Sequence, residues 1–223
     1  INPQDAKNHH GILSNPNCST IITMVAVNAL NGLTPIRTMT ATTFQAVSGA
    51  GAGGPVELEQ EVQAKLRGED YTPKVFPYPI AYNVIPQIGG EQYEGYTSEE
   101  MKMQNEGRKI LHLPELRVSC TCVRVPVVRS HSISVSLHFD RHVSVEEARR
   151  AIAQAPGCKL VDDLPNKRYP MPLETSDQDI VFVGRIRQDL TDDKGLCLWC
   201  SGDQVRKGAA TNTIQIAELL IQE

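Results

Sequence analysis

The segment HSISVSLHF, residues 131–139, alternates between apolar and polar side chains, and this alternation limits the fold more than any other feature of the sequence. Residues two apart point to the same side of a strand, so Ile133, Val135, Leu137 and Phe139 would form one apolar face. Three serines and a histidine would form the other face. A half-buried strand of this kind is typical of an antiparallel or mixed sheet with one face against a core.

Further segments of the chain predict strands and helices in an order that is not strictly alternating. Two S/T-x-x-E capping boxes, at 97–100 and 144–147, mark helix starts, and Gly157 is expected to end the second of these helices. Strand patterns outnumber helical ones, which predicts an α+β domain with a mainly antiparallel or mixed sheet covered by helices. The other strand patterns lie at 36–44, 118–125, 179–189 and 195–203, and the other helical patterns at 20–30, 56–66 and 212–221.

The composition excludes several classes of protein. A chain of 223 residues can bury a sizeable core, as one large domain or two small ones. Its formal net charge of -4 argues against a nucleic-acid-binding face, and its apolar runs are too short to span a membrane. Six cysteines are too sparse for a disulfide scaffold in a chain of this length, so we expect reduced thiols and a cytoplasmic location.

One cysteine stands at a predicted helix start, in the stretch SNPNCSTIITMVAV, residues 14–27. Apolar residues recur there at helical spacing, and Pro16 suits the opening turn because it has no N–H to lose. Cys18 would lie among unpaired N–H groups at the positive end of the helix dipole, which favours the thiolate. Cys18 is therefore a candidate nucleophile, and a small buried residue at a helix start is the plainer interpretation.

Other positions carry groups that could serve such a nucleophile. His131 heads the alternating strand, where an imidazole could move a proton, although it could equally bond to backbone. Arg124 ends an apolar strand face, and its planar guanidinium suits a carboxylate unless it only reaches out to solvent. Glu99 and Lys102 lie three apart on one helix face, where a solvated ion pair is the plainer interpretation.

The segment QAVSGAGAGG, residues 45–54, is a glycine-rich loop after a predicted strand. Its small residues would let backbone or ligand approach closely, while the amide of Gln45 could be a plain turn cap. The segment is a weak signal for a complete dinucleotide-binding unit, because it lacks an acidic partner at the expected distance. No metal site is expected, since 120–122 has ordinary strand spacing and 197–200 lacks the turn residues of a zinc knuckle.

Six segments occur in one order along the chain: NPNCST, TFQAVSGAG, EEMKM, CVRVPV, HSISV and RKGAATNTIQIAELL. Together they closely resemble the aspartate-semialdehyde dehydrogenase family of the bacterial type, over essentially the whole chain. The resemblance implies a domain like the catalytic domain of glyceraldehyde-phosphate dehydrogenase. It also implies a homodimer that interconverts L-aspartate-4-semialdehyde, phosphate and NADP with L-4-aspartyl phosphate and NADPH, in lysine, threonine and methionine biosynthesis.

The resemblance implies a role for each residue that matches a family motif. Cys18 matches the acyl-thioester cysteine, Gln45 the glutamine that orients the substrate, and His131 the acid/base histidine. The positions that match the nicotinamide end of the cofactor site are Ser48, Gly49 and Asn212.

The substrate-binding positions follow from the same resemblance. Arg124 matches the arginine that grips the substrate carboxylate, and Glu99 the glutamate near its amino group. Lys102 matches a phosphate-site lysine, and Asn17 belongs to the same substrate site.

The family joins this domain to an N-terminal dinucleotide-binding domain, and the chain begins only a short way before the nucleophile. The resemblance therefore implies that 1–223 is the catalytic and dimerisation domain without that N-terminal domain, and is inactive by itself. It further implies that the terminal segment, 208–223, packs against the missing domain.

Three other functions remain open on the sequence. The related N-acetyl-glutamyl-phosphate reductase typically has Gly-Cys-Tyr at its nucleophile, whereas this chain has Asn17-Cys18-Ser19. A cysteine hydrolase with a Cys18–His131 pair would need no cofactor. A dimerisation module would need no catalysis.

Overall fold

The fold was analysed in a computed structural model that describes residues 1–221. The last two residues of the predicted terminal segment lie outside this range. The strands are β1 (Ile36–Gln45), β2 (Glu91–Tyr93), β3 (Tyr96–Thr97), β4 (Arg117–Arg124), β5 (His131–Phe139), β6 (Cys158–Leu160), β7 (Val181–Gln188) and β8 (Gly195–Gly202). The helices are α1 (Pro3–Ala6), α2 (Cys18–Asn31), α3 (Gly53–Arg67), α4 (Ser98–Ile110), α5 (Val145–Gln154), α6 (Pro172–Thr175) and α7 (Thr211–Ile221).

Six of the strands form one mixed sheet in the order β4-β1-β5-β8-β7-β6, and β2 pairs with β3 in a separate hairpin. Within the sheet, β1–β4 and β6–β7 are parallel, and the other three pairs are antiparallel. The predicted α+β class with a mixed sheet is confirmed.

The alternating segment forms β5, near the middle of this sheet, with its apolar residues in the core. Ile133, Val135 and Leu137 are fully buried, and each lies opposite a buried residue of β1 and of β8. The helices α2, α4 and α5 pack on this inner face. Burying a side chain of this size contributes about 1.5–3 kcal/mol, so the alternation fixes which face of the sheet receives the helices.

Both predicted capping boxes are present. Thr97 accepts from the backbone of Glu100 while the Glu100 carboxylate accepts from the backbone of Thr97, and Ser144 and Glu147 make the same pair of bonds. The predicted role of Gly157 is wrong. The helix α5 ends three residues earlier, because its C-cap residue adopts an extended conformation, and Gly157 lies in the following left-handed turn.

The sequence suggested a loop for the whole glycine-rich segment, but only part of it is a loop. A 3₁₀ turn, Val47–Ala50, follows β1, and the last two glycines already belong to α3. Gly54 packs so tightly that a Cβ there would lie 2.0 Å from the Val47 carbonyl oxygen. Gly54 therefore serves the close packing of α3 on the turn.

Helix α3 also fixes the irregular excursion that precedes β2, which is the segment 68–90. The buried carboxylate of Glu57 accepts the backbone N–H groups of residues 74–76, and that of Glu61 accepts those of residues 80 and 81. The excursion then pairs with the end of β4 through an isolated bridge between Ile85 and Arg124. It is thereby held against the edge of the sheet where the predicted site lies.

The terminal helix α7 exists as predicted, and none of its described residues is buried. Its packing against a further domain remains a prediction. Among residues 1–221, every helix is too short or too polar to cross a bilayer.

Candidate active site

One end of the sheet brings the predicted site residues together. The parallel strands β1 and β4 finish side by side, so that Gln45 and Arg124 are register partners. Strand β5 runs antiparallel to β1 and therefore starts at the same end, with His131 as its first residue. The first residue of α2 is Cys18, and its sulfur lies 3.4 Å from Nε2 of His131. The ends of β1 and β4, the start of β5 and the start of α2 thus converge.

The start of α2 is held mainly by residues of α4. The N-cap residue is Asn17, whose side-chain oxygen accepts the N–H groups of Ser19 at 3.0 Å and Thr20 at 3.3 Å. Its side-chain nitrogen donates to Glu99 at 2.9 Å, and its backbone N–H donates to Glu106 at 2.9 Å. Pro16 therefore lies outside the helix, before the N-cap, rather than in its first turn.

Sequence reasoning missed Glu106, which holds the backbone of the residue before the nucleophile. Burial raises its pKa above the usual value. It follows Glu99 by two helical turns and so lies on the same face of α4. That spacing was the available signal, although only the fold reveals which helix start the face meets.

The state of Cys18 differs from the expectation. Burial, and after it the negative charge of Glu99, raises the pKa of the Cys18 thiol to about 11. The predicted preference for the thiolate is therefore wrong. The helix start does favour the anion, but removal of the sulfur from water beside a carboxylate outweighs it.

His131 is fully buried, and its ring is oriented by the peptide of Ala46. The Ala46 N–H donates to Nδ1 at 3.0 Å. A backbone N–H can only donate, so Nδ1 is the acceptor and the neutral ring carries its proton on Nε2, facing Cys18. Burial, and then the charge of Arg124, lowers the pKa of His131 to about 3. The imidazole is thus neutral and points an N–H at the sulfur.

The carboxylate of Glu99 joins the two amides of the site. Its Oε1 accepts from Gln45 at 3.1 Å as well as from Asn17, and Gln45 accepts in turn from the hydroxyl of Thr43 at 3.0 Å. Lys102 lies 3.4 Å from the second carboxylate oxygen. Glu99 is buried while Lys102 is about half exposed, so the pair is not the fully solvated one that spacing alone suggested.

Arg124 is buried and only partly satisfied by the protein. One guanidinium nitrogen donates to the Ala46 carbonyl at 2.7 Å, and its central carbon lies 5.8 Å from the ring centre of Phe76. Within residues 1–221, no ion pair with a carboxylate within 4.0 Å is formed by this side chain. Burial lowers its pKa. A buried guanidinium with donors to spare is suited to an anionic ligand.

Two of the three predicted cofactor residues lie next to this cluster. A Cβ on Gly49 would lie 2.8 Å from a guanidinium nitrogen of Arg124 and 3.0 Å from Cε1 of His131, so the lack of a Cβ lets the backbone of Gly49 pack directly against both side chains. Ser48 donates to the Val128 carbonyl at 2.6 Å and accepts from Gln204.

The third predicted cofactor residue is held separately. The amide of Asn212 bonds to Asn15 at 2.7 Å and to Lys207 at 2.9 Å, in contact with the segment before Cys18. No contact joins it to Ser48 or Gly49 in the part of the chain that the structure describes.

The remaining cysteines do not form a metal-binding group. Cys120 and Cys122 both face the core with their sulfurs 3.8 Å apart. Cys197 and Cys200 are three residues apart on β8 and therefore point to opposite faces of the sheet. In the described residues, no cluster of three or more histidine, cysteine or acidic side chains could hold a metal ion.

Comparisons with known proteins identify the family of the chain. A family model described as "Semialdehyde dehydrogenase, dimerisation domain" matches residues 27–207. Aspartate-semialdehyde dehydrogenase of Synechocystis sp. is 47% identical over 100% of this chain and 66% of its own length. The enzyme of Bacillus subtilis is 44% identical over 99% of this chain and 66% of its own length. The chain thus spans about 66% of the length of these curated relatives.

Solved structures give the same result for the fold. Aspartate semialdehyde dehydrogenase II of Vibrio cholerae, complexed with ASA, is 38% identical with a TM-score of 0.96, and the match covers 100% of this chain and 66% of that one. The enzyme of Candida albicans, solved with NADP, is 26% identical with a TM-score of 0.67, over 92% of this chain and 56% of that one.

Proposed function

The chain belongs to the semialdehyde dehydrogenase family, which it matches through the dimerisation domain, and we propose that it carries the catalytic domain of an aspartate-semialdehyde dehydrogenase. The reaction is the interconversion of L-aspartate-4-semialdehyde, phosphate and NADP with L-4-aspartyl phosphate and NADPH. The observation that carries the proposal is the 3.4 Å approach of the Cys18 sulfur to Nε2 of His131. A thiol in that position can hold an acyl group that phosphate later displaces.

The residues around the sulfur support a thioester route. In the direction from acyl phosphate, the sulfur bonds to the carbonyl carbon, the bond to the phosphate oxygen breaks, and the thiol proton leaves with the phosphate. His131 carries its proton on Nε2, so it is placed to donate to the carbonyl oxygen as negative charge develops there. Because the resting thiol is neutral, the substrate itself supplies the proton acceptor.

Three side chains are proposed to bind the substrate. Arg124 would hold the α-carboxylate with the donors that the protein leaves free. Glu99, already buried among amide donors, would accept from the amino group. Lys102, half exposed beside it, would meet the phosphate. Asn17 is assigned to the same site because its amide bonds to Glu99.

The cofactor proposal rests on the similarity to the Candida albicans enzyme, which was solved with NADP. Gly49 lies so close to His131 and Arg124 that a Cβ would not fit, so its backbone borders the same cluster as Cys18. Ser48, Gly49 and Asn212 would hold the nicotinamide end of NADP. When bound there, the cofactor would supply the hydride chemistry of the redox step. We infer that the rest of its site lies in an N-terminal dinucleotide-binding domain, and that residues 1–223 alone do not complete the redox step.

The proposal includes a homodimer and a cytoplasmic enzyme. Its support is the family description as a dimerisation domain and the six free cysteines, none of which is paired in a disulfide. We infer that α7, with no buried residue, packs against the inferred dinucleotide-binding domain.

The half-reaction that forms the thioester needs no dinucleotide and therefore tests the chain directly. Residues 1–223 are mixed with L-4-aspartyl phosphate, and the protein is analysed by intact mass and peptide mapping. We expect one aspartyl group on Cys18 and one phosphate released for each. Cys197→Ser, which removes another partly exposed thiol, should be labelled like the wild type. Labelling elsewhere, or none, would contradict the proposal.

The complete reaction requires a fusion that supplies a dinucleotide-binding domain. The N-terminal part of the Synechocystis enzyme joined to residues 1–223 should oxidise NADPH in the presence of L-4-aspartyl phosphate. A fusion that is acylated at Cys18 but never oxidises NADPH would leave an acyl-transfer protein rather than a dehydrogenase.

A further inference from the structure

We propose that Thr43 is a positioning residue for this reaction, which holds the amide of Gln45 so that one of its N–H groups faces the Cys18–His131 pair. The inference rests on the proposed function and goes beyond it, because neither the sequence motif nor the family description assigns a task to this threonine. It concerns a side chain that is fully buried on the inner face of β1, two residues before Gln45.

The orientation of the Gln45 amide follows from its two partners. A carboxylate without a proton can only accept, so the atom facing Glu99 at 3.1 Å is the amide nitrogen. The amide oxygen then faces Thr43, whose hydroxyl donates to it at 3.0 Å. The bond to Glu99 identifies the amide nitrogen, and the bond from Thr43 to the amide oxygen fixes the plane of the amide from the opposite side.

The fixed amide aims a donor at the reacting atoms. Its nitrogen lies 3.5 Å from Nε2 of His131. The Ala46 N–H already fixes the His131 proton on Nε2. The two atoms are therefore both donors and cannot bond to each other. One N–H of Gln45 is left beside the N–H that His131 directs at the sulfur, and the oxygen of a substrate carbonyl bound to that sulfur would accept from both.

The hydroxyl of Thr43 is thus needed for more than filling the core. A valine has nearly the same shape and would keep the packing, but it would leave the Gln45 oxygen buried without a donor. The amide would then be held by one hydrogen bond alone, to Glu99, and could rotate. Its second N–H would no longer point at the carbonyl oxygen.

The first test measures the rate at which L-4-aspartyl phosphate acylates Cys18. We expect Thr43→Val to lower the rate constant at saturating substrate about tenfold, with little change in the half-saturating concentration. Thr43→Ser, which keeps the hydroxyl, should restore it to within about twofold. Thr42→Val is the matched control, because its side chain points to the other face of the same strand.

A double mutant separates positioning from mere stability. In a Gln45→Ala background, Thr43→Val should have no further effect on acylation, because the group it positions is gone. Wild-type acylation by Thr43→Val, or a loss that simply adds to that of Gln45→Ala, would overturn the inference. A wild type that is never acylated would instead reject the proposed function.

A second measurement does not depend on activity. The side-chain NH₂ signals of Gln45 are assigned in a ¹⁵N spectrum by their absence in Gln45→Ala. We expect the two protons to be distinct and slow to exchange in the wild type and in Thr43→Ser, and to exchange faster in Thr43→Val. Unchanged signals in Thr43→Val would show that the hydroxyl does not hold the amide.

Discussion

Helices α2 and α4 begin next to each other on the same face of the sheet, but their starts are built in opposite ways. Helix α4 is closed by its own residues, since Thr97 and Glu100 satisfy each other's backbone. Helix α2 has no acidic residue in its first turn, and its N-cap Asn17 is held by Glu99 and Glu106 of its neighbour.

The difference is that the residues that restrain the start of α2 are not in the turn that carries Cys18. A self-contained capping box stabilises a helix wherever the helix lies, but its carboxylate occupies the first turn. At α2 the restraint comes from side chains of another helix, so no acidic residue of α2 itself stands in the turn that carries Cys18. Glu99, one of the two glutamates that restrain it, also adds negative charge, and this contributes to the raised pKa of the thiol. The following predictions test that division, beginning with the largest expected effect.

Replacing the sulfur should remove the chemistry of the α2 start. Cys18→Ser keeps the shape of the first turn but offers a hydroxyl, which is a far weaker nucleophile at neutral pH. We expect acylation by L-4-aspartyl phosphate to fall by at least about a thousandfold, with thermal stability nearly unchanged. Quenched-flow mass spectrometry measures the first and calorimetry the second. Residual labelling at the wild-type rate would show that another residue is the nucleophile.

The imidazole beside this start should make the fold sensitive to acid. The pKa of His131 is lowered from 6.5 to about 3 by burial and by Arg124. Between pH 6.5 and 3, His131 is therefore protonated in the unfolded chain and neutral in the folded one. Stability from this group is complete above pH 6.5 and is lost as the pH falls towards 3, by about 3 kcal/mol at pH 4.5.

Urea unfolding of wild type and His131→Gln, measured between pH 4.5 and 7.5, checks this expectation. The variant is expected to be less stable at neutral pH but to lose less stability on acidification. Parallel pH profiles for the two proteins would mean that His131 takes up a proton freely within the fold.

Removing the cap of α2 should affect stability and chemistry together. Asn17→Ala loses the bonds to the α2 backbone and to Glu99, which should cost about 1 kcal/mol of stability. Because the first turn then loosens around Cys18, we also expect acylation to slow about tenfold. Asn17→Asp is the control for capping, since it keeps the oxygen acceptor but repels Glu99. Full activity in Asn17→Ala would show that Glu106 alone holds the helix start.

Removing the cap of a self-contained start should affect stability only. Ser144→Ala breaks the capping box of α5, which carries no site residue, and should also cost about 1 kcal/mol. Acylation should stay within about twofold of the wild type. If Ser144→Ala slowed acylation as much as Asn17→Ala, the slowing would report general loosening of the fold rather than the place of the cap.

The sequence reveals the local half of this picture. Capping boxes, the α2 pattern and the alternation in β5 are short-range signals, and the structure has all of them. The hydrogen bonds from Asn17 to Glu99 and Glu106 cannot be read from the sequence, because the two glutamates lie 82 and 89 residues further along the chain. The sign of the Cys18 pKa shift was missed for the same reason, since burial and a neighbouring carboxylate are properties of the fold.

The convergence of distant strands at one end of the sheet also has a meaning for folding. Cys18 and His131 are 113 residues apart in sequence, and Ala46 and Arg124 are 78 apart. Closing such long loops is slow compared with forming helices and hairpins. The candidate site therefore forms only when β1 has paired with both β4 and β5, and an incomplete sheet leaves Cys18 without His131 beside it.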